Sequence, residues 1–173
     1  NRGTGTVGIF LNLGVGSPGN FAAQETYPAG TTLFEIQAAD LENRGVLDLI
    51  VSDEVASGSI HILRGVGNGT FSPATSLVTI SATITNSTAR GLRVADLDKD
   101  GKLDIIYTAS NNYVATLKGN GDGTFGPPID LVIRSANPTC SASAGTELSV
   151  GQLGKIDIAD VRNNGNLDLI IED

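Results

Sequence analysis

Short apolar runs separated by turn residues dominate the pattern of this chain. The run Ile105 to Thr108 is β-branched and aromatic and predicts a buried strand, and the apolar alternation at Ile60 to Leu63 predicts another. Further strands are predicted at Leu77 to Ile80, at Ile129 to Ile133 and at Gly91 to Ala95. No ten-residue window has convincing helical periodicity, so the expected fold class is all-β.

These strands recur within a repeated sequence. The segment SIHILRGVGNGTFSP from Ser59 matches YVATLKGNGDGTFGP from Tyr113 and, after a two-residue insertion near Ser17, TVGIFLNLGVGSPGNF from Thr6. A period of roughly 50 to 60 residues is typical of an array or a propeller. Four short antiparallel strands per repeat, joined by glycine-rich turns, predict β-propeller blades, of which the chain holds about three.

We predict a single domain of residues 1–173. The repeats divide it so that one blade is split between the two ends of the chain. Two repeats span approximately residues 36–90 and 91–155, and the third combines residues 156–173 with residues 1–35. Joined end to end, the two halves have the spacing of one blade. We therefore expect other copies of the chain, in a ring or a filament, or the remaining blades of a longer chain to complete the split blade.

An acidic loop precedes the strand at Ile105. It has aspartates at positions 1, 3, 5 and 9 and a glycine at position 6, which are Asp96, Asp98, Asp100, Asp104 and Gly101. Adjacent carboxylates repel one another, and Ca²⁺ takes oxygen ligands from flexible loops of this kind, with Lys102 adding its backbone carbonyl. An EF-hand needs a glutamate at position 12, where this chain has Tyr107. The alternative is a polar turn without metal.

Two weaker copies of the loop keep only part of this ligand set. Both retain the first acid, the glycine at position 6 and the acid at position 9: Asp40, Gly45 and Asp48 in one copy, Asp160, Gly165 and Asp168 in the other. The inner positions are Glu42 and Arg44 in the first copy and Arg162 and Asn164 in the second. Because an arginine beside the carboxylates replaces the charge of an ion by a salt bridge, we expect weak metal binding or none in these loops.

The acidic loop, the apolar strand and the sequence GNGDGTFGP at Gly119 to Pro127 together resemble the FG-GAP or VCBS repeat family. That family includes the calcium-binding blades of integrin α-subunit propellers and of many secreted proteins, and the resemblance implies a protein or carbohydrate ligand. The calcium ligands that it implies are Asp96, Asp98, Asp100, the Lys102 carbonyl and Asp104. Phe125 and Gly126 match the phenylalanine-glycine element best, whereas the segments at Phe71 and Phe21 depart from it.

Charge and composition limit the partners. The net charge of −8 at pH 7 argues against nucleic acid and anionic membranes, and no apolar run is long enough to span a bilayer. Because such calcium loops suit extracellular calcium better than cytosolic calcium, we expect an extracellular or cell-surface location. Cys140 is the only cysteine, and Asn86 is the better of two glycosylation sequons.

Catalytic chemistry has little support in the sequence. His61 is the only histidine and lies in the middle of a predicted strand, and the glycine runs lack the Lys-Ser/Thr of a phosphate-binding loop. We therefore expect a secreted, calcium-stabilised, non-enzymatic propeller module for adhesion or recognition. Two alternatives stay open: a structural subunit that assembles through its split blade, and an accessory domain of a larger secreted enzyme.

Overall fold

The computed structural model describes residues 3–14, 16, 19–55, 59–78, 88–109, 113–131 and 154–172. These residues contain β-strands and no helix, which confirms the predicted all-β class. Among them there is no helix that is long and apolar enough to cross a membrane. The strands are β1 (Thr6–Ile9), β2 (Glu25–Pro28), β3 (Leu33–Ala39), β4 (Asp48–Asp53), β5 (Ser59–Leu63), β6 (Thr75–Val78), β7 (Ala89–Ala95), β8 (Asp104–Ala109), β9 (Tyr113–Gly119), β10 (Phe125–Leu131), β11 (Ile156–Ala159) and β12 (Asp168–Ile171). Cys140, Asn86 and the predicted strand ends at Ile80 and Ile133 lie outside the described residues.

Two sheets of four antiparallel strands dominate the structure. Their strands pair in chain order, β3-β4-β5-β6 in the first sheet and β7-β8-β9-β10 in the second. Two smaller sheets contain two strands each, β1 with β2 and β11 with β12. The predicted repeat of four antiparallel strands is therefore confirmed for these two sheets.

The backbone register shows which strands of the repeats are equivalent. The residue before each acidic loop pairs with the ninth loop residue: Ala39 with Asp48, Ala95 with Asp104, and Ala159 with Asp168. Accordingly, β11 and β12 correspond to the first two strands of a four-stranded sheet. Val7, Ile60 and Val114, which match in sequence, each pair with the strand that follows, so β1 and β2 correspond to the last two strands.

Alternate residues of a strand pack into different cores, because successive side chains point to opposite faces of the sheet. In β4, Leu49 and Val51 pack against β1 and β2, whereas Ile50 packs against the second four-stranded sheet. In β8, Ile106 continues this pattern by packing against β11 and β12. The sheets therefore lie face to face in chain order, and adjacent sheets share a core.

The first strands of successive sheets contact one another, β3 with β7 and β7 with β11. Arg93 on β7 forms an ion pair with Glu35 on β3, and its Nε donates a hydrogen bond of 3.0 Å to Oδ1 of Asp157 on β11. Glu35 Oε2 also accepts a hydrogen bond of 2.8 Å from the backbone N–H of Leu92. Charged side chains therefore connect the first strands of three sheets, in addition to the apolar cores between them.

Candidate metal centre

Three loops with the same backbone shape connect the first and second strands of their sheets. They are residues 40–48 (the first loop), 96–104 (the middle loop) and 160–168 (the last loop). The fourth residue has a positive φ in each, 52° at Asn43, 64° at Lys99 and 52° at Asn163. The sixth residue is a glycine with φ between 78° and 84°, a left-handed conformation that glycine adopts without steric cost. The shape of the loop is therefore the same whichever side chains it carries.

The first aspartate of each loop accepts hydrogen bonds from the backbone of its own loop. Oδ1 accepts the N–H of the fifth residue at 3.0 Å, and Oδ2 accepts the N–H of the glycine at 2.5 to 2.8 Å. These donors, the fifth residue above all, hold the pKa of Asp40 and of Asp160 below the ordinary aspartate value. This stabilisation is present above the ordinary carboxyl pKa and is lost as the pH falls through the lowered one.

The ninth aspartate begins the second strand and is buried in both four-stranded sheets, at Asp48 and Asp104. Each accepts a hydrogen bond from a glycine at the end of the third strand or just beyond it, from Gly65 N at 2.9 Å and from Gly119 N at 2.8 Å. A Cβ at Gly119 would lie 2.0 Å from the carbonyl oxygen of Leu103, so glycine alone permits this approach. The ninth aspartate thus fixes the loop against two strands of its sheet.

The middle loop brings three of its predicted ligands together. Carboxylate oxygens of Asp96, Asp98 and Asp104 lie within 4.8 Å of one another, and no second group of this kind occurs in the part of the chain that the structure describes. Calcium binds oxygen at about 2.3–2.6 Å, so two ligands of one ion lie up to about 5 Å apart. The separation and the all-oxygen donor set therefore fit a hard divalent cation.

Asp100 lies apart from this cluster, although the sequence predicts it as a ligand. Its Oδ1 accepts the backbone N–H of Lys102 at 3.0 Å. Its Oδ2 is 3.3 Å from the ammonium nitrogen of Lys118 and 3.9 Å from that of Lys102. Asp100 would have to exchange these contacts to join the cluster, and the ligand role of the Lys102 carbonyl stays a prediction.

Lys118 is a residue of this site that the sequence reasoning missed. It lies near the end of β9, at the register position that Arg64 has after β5, and its ammonium contacts Asp98 as well as Asp100. The ammonium holds the pKa of Asp98 below its ordinary value. In turn, the hydrogen bond to Asp98, and after it the one to Asp100, raises the pKa of Lys118. The alignment of Lys118 with Arg64 in the sequence could have indicated a basic residue at this site, since both repeats have one at this position.

Two arginines form ion pairs with the acids of the first loop, where the sequence predicts a salt bridge in place of a metal ion. Arg44 Nη2 lies 2.9 Å from Asp48 Oδ1, and Arg44 Nε lies 2.6 Å from Glu42 Oε2. Arg64 Nη1 donates to Glu42 Oε1 at 3.0 Å and lies 3.5 Å from Asp48 Oδ2. A divalent cation at these two acids would therefore meet two guanidinium groups of its own charge sign.

In the last loop an arginine also pairs with the ninth aspartate, but it comes from a different position of the loop. Arg162 is the third residue of its loop, and its Nη2 lies 2.6 Å from Asp168 Oδ1. Asp168 thereby raises the pKa of Arg162. The fifth residue, Asn164, accepts the backbone N–H of Asn166 through its Oδ1 at 2.9 Å. The last loop thus resembles the first, with an arginine at the ninth aspartate.

His61, which the sequence suggests is an ordinary strand residue, connects neighbouring strands through hydrogen bonds. Its Nε2 lies 3.3 Å from Asp53 Oδ2, and its Nδ1 lies 2.9 Å from Ser76 Oγ. Asp53 is almost fully buried and also accepts the backbone N–H groups of Thr31 and Thr32 at 2.8 Å. These bonds fasten the start of β3 to the rest of the first sheet.

Comparison with known protein families bears on the first two loops. The family model of the FG-GAP-like repeat matches residues 45–107, about a third of the chain. Residues 45–107 are therefore similar to an FG-GAP-like repeat. The matched segment begins at the glycine of the first loop and includes the whole middle loop, which confirms the resemblance seen in the sequence. No curated protein and no solved structure matches the chain.

Replacing Arg44 by glutamine tests whether the first loop depends on its guanidinium group. The change leaves the buried Asp48 with the more distant Arg64 as its nearby cation, so the free energy of unfolding should fall by about 2–3 kcal/mol. Urea denaturation in excess chelator measures this loss. Arg162→Gln is the matched control, and its loss should be smaller because water reaches the less buried Asp168. Equal losses in the two variants would contradict this interpretation.

Proposed function

We propose that this chain is a secreted, calcium-stabilised β-propeller module without enzymatic activity, which recognises a protein or a carbohydrate in adhesion. The observation that carries the proposal is the cluster of Asp96, Asp98 and Asp104 within an FG-GAP-like repeat. Repeats of this family often bind calcium and are typically extracellular. The acidic cluster supplies the ligands that such a repeat would need.

The stacking of the sheets supports the propeller arrangement. Propeller blades are four-stranded antiparallel sheets arranged around a central channel. In this chain two four-stranded and two two-stranded sheets share cores in chain order, and the first strands of neighbouring sheets contact one another. We take these sheets as an arc of about three blades, with one blade present as two halves.

Charge repulsion is the reason for a calcium ion in the middle loop. Asp104 begins β8, and its Oδ2 accepts the backbone N–H of Leu97 at 3.0 Å, so the cluster spans the loop and the sheet. When bound, Ca²⁺ supplies positive charge that offsets the repulsion between the clustered carboxylates. Asp96 and Asp98 would then hold the loop against Asp104, which makes the junction between loop and sheet more rigid.

A polar cleft beside the loops is the candidate surface for a ligand. It has a volume of about 550 Å³ and lies between the first and middle loops, where Asp40, Glu42 and Lys102 line it. Gly101 and Gly121 also line it. Carboxylate, ammonium and backbone groups at one opening favour a polar ligand such as a sugar or a peptide.

Asp98→Asn tests the calcium proposal. The variant keeps a hydrogen-bond acceptor at this position but loses one charged ligand, so calcium should stabilise it much less than the wild type. Thermal unfolding in excess calcium and in chelator measures the difference, and the wild type should melt at a higher temperature in calcium.

Asp122→Asn is the control for this measurement. Asp122 accepts the backbone N–H of Thr124 at 2.9 Å in a turn outside the cluster, so its variant should keep the full calcium-dependent shift. Identical melting of the wild type with and without calcium would contradict the proposal.

A second candidate function, a structural subunit, is favoured by apolar residues exposed at both ends of the stack of sheets. Val161 and Ile170 are 65% and 46% exposed, whereas the equivalent Leu41 and Ile50 are 4% and 0% exposed because the next sheet covers them. At the other end, an apolar cleft of about 320 Å³ lies between β1 and β3 and includes the exposed Ile36. β11 and β12 correspond to the first two strands of a four-stranded sheet, and β1 and β2 correspond to the last two. We therefore infer that a second copy completes each half sheet.

Light scattering of the purified chain in calcium tests this assembly. Ile170→Lys puts a charge on the face that the second copy would cover, so the assembly should dissociate into monomers. Ile129→Lys is the matched control, because Ile129 is an exposed residue on the last strand of the second sheet, and its assembly should persist. A wild-type chain that is folded and monomeric would contradict the second candidate.

A further inference from the structure

Lys118 supplies the middle loop with a cation from the chain itself. Its ammonium contacts Asp98 and lies 3.3 Å from Oδ2 of Asp100. Asp98 is also one of the three clustered residues, so the same carboxylate contacts Lys118 and belongs to the proposed calcium site. An ammonium and a calcium ion close to Asp98 at the same time would repel each other.

The other two loops also contain cations from the chain. In the first loop Arg64 has the register position of Lys118 and pairs with Glu42, but the cations of these two loops also reach the ninth aspartate. In the first and last loops an arginine pairs with the ninth aspartate, Arg44 with Asp48 and Arg162 with Asp168. The middle loop has no arginine, and its ninth aspartate accepts backbone N–H groups instead. Lys118 pairs with the inner acids of the middle loop, Asp98 and Asp100. Its side chain is 51% exposed, so its ammonium can move into the solvent without crossing an apolar region.

We propose that Lys118 is an internal competitor of calcium in the middle loop. In the calcium-free chain its ammonium offsets the repulsion among the acids, and calcium binding displaces it into the solvent. This inference rests on the calcium site proposed above and adds the residue that sets the affinity of that site. A lysine suits the role better than an arginine, because a guanidinium group binds carboxylates through several directed hydrogen bonds and releases them less readily.

Removal of the competitor should have opposite effects in two conditions. In chelator, Lys118→Gln leaves Asp98 without its cation and Asp100 with only the more distant Lys102, so its melting temperature should lie below that of the wild type. In calcium, the ion no longer has to displace an ammonium, so the affinity should rise about three- to tenfold, the range for one or two exposed ion pairs. A residue with a purely structural role would weaken the chain in both conditions.

Calcium titration calorimetry and thermal unfolding of the whole chain test the inference with three variants. Lys118→Gln carries the prediction. Lys99→Gln is the matched control, because Lys99 lies in the same loop but its ammonium donates to Asn166 Oδ1 at 3.1 Å, so its calcium affinity should stay within about twofold of the wild type. Lys118→Arg keeps the competing charge and should bind calcium no more tightly than the wild type.

The possible outcomes separate this inference from the calcium proposal. Equal affinities of Lys118→Gln and Lys99→Gln would overturn the role of Lys118 and leave the calcium site intact. Failure of the wild type and all three variants to bind calcium would overturn both proposals. Calcium binding by Lys118→Gln alone would overturn the proposal that the wild-type loop binds calcium, and would support the role of Lys118 as a competitor of the ion.

Discussion

A buried carboxylate at the start of the second strand is the feature on which each four-stranded sheet depends. Asp48 and Asp104 each accept a backbone N–H from a glycine at the end of the third strand or just beyond it, so one side chain connects the loop with both strands. Burial of a carboxylate is costly unless hydrogen bonds or a nearby cation compensate for the lost water. The acids gathered around it add repulsion, so each loop needs positive charge from some source.

The three loops meet this need in different ways on one backbone. Arg44 and Arg64 pair with the acids of the first loop, and Arg162 pairs with the ninth aspartate of the last loop. The middle loop has Lys118 beside its inner acids and a cluster of carboxylates that fits a divalent cation. Because the left-handed positions and the first aspartate maintain the loop shape in every copy, one loop can keep carboxylates that fit a metal while its neighbours use arginine.

Features within one repeat were predictable from the sequence, whereas contacts between distant segments were not. The alternation at Ile60 to Leu63 predicts a strand because side chains alternate between faces, and the acids with their glycine predict a tight loop. Lys118 reaches Asp98 only because β9 pairs with β8, and no local pattern reports where a long side chain then lies. For the same reason the separation of Asp100 from the cluster was not foreseen. Val161 is apolar like Leu41, but its exposure depends on the sheet beyond it.

One loop of the three should take a calcium ion, because arginine already occupies the other two. The number of ions bound per chain, measured by equilibrium dialysis against radioactive calcium or by native mass spectrometry, tests this most directly. We expect one ion per chain at saturation. Three ions would contradict the replacement of metal by arginine, and no bound ion would contradict the calcium site of the middle loop.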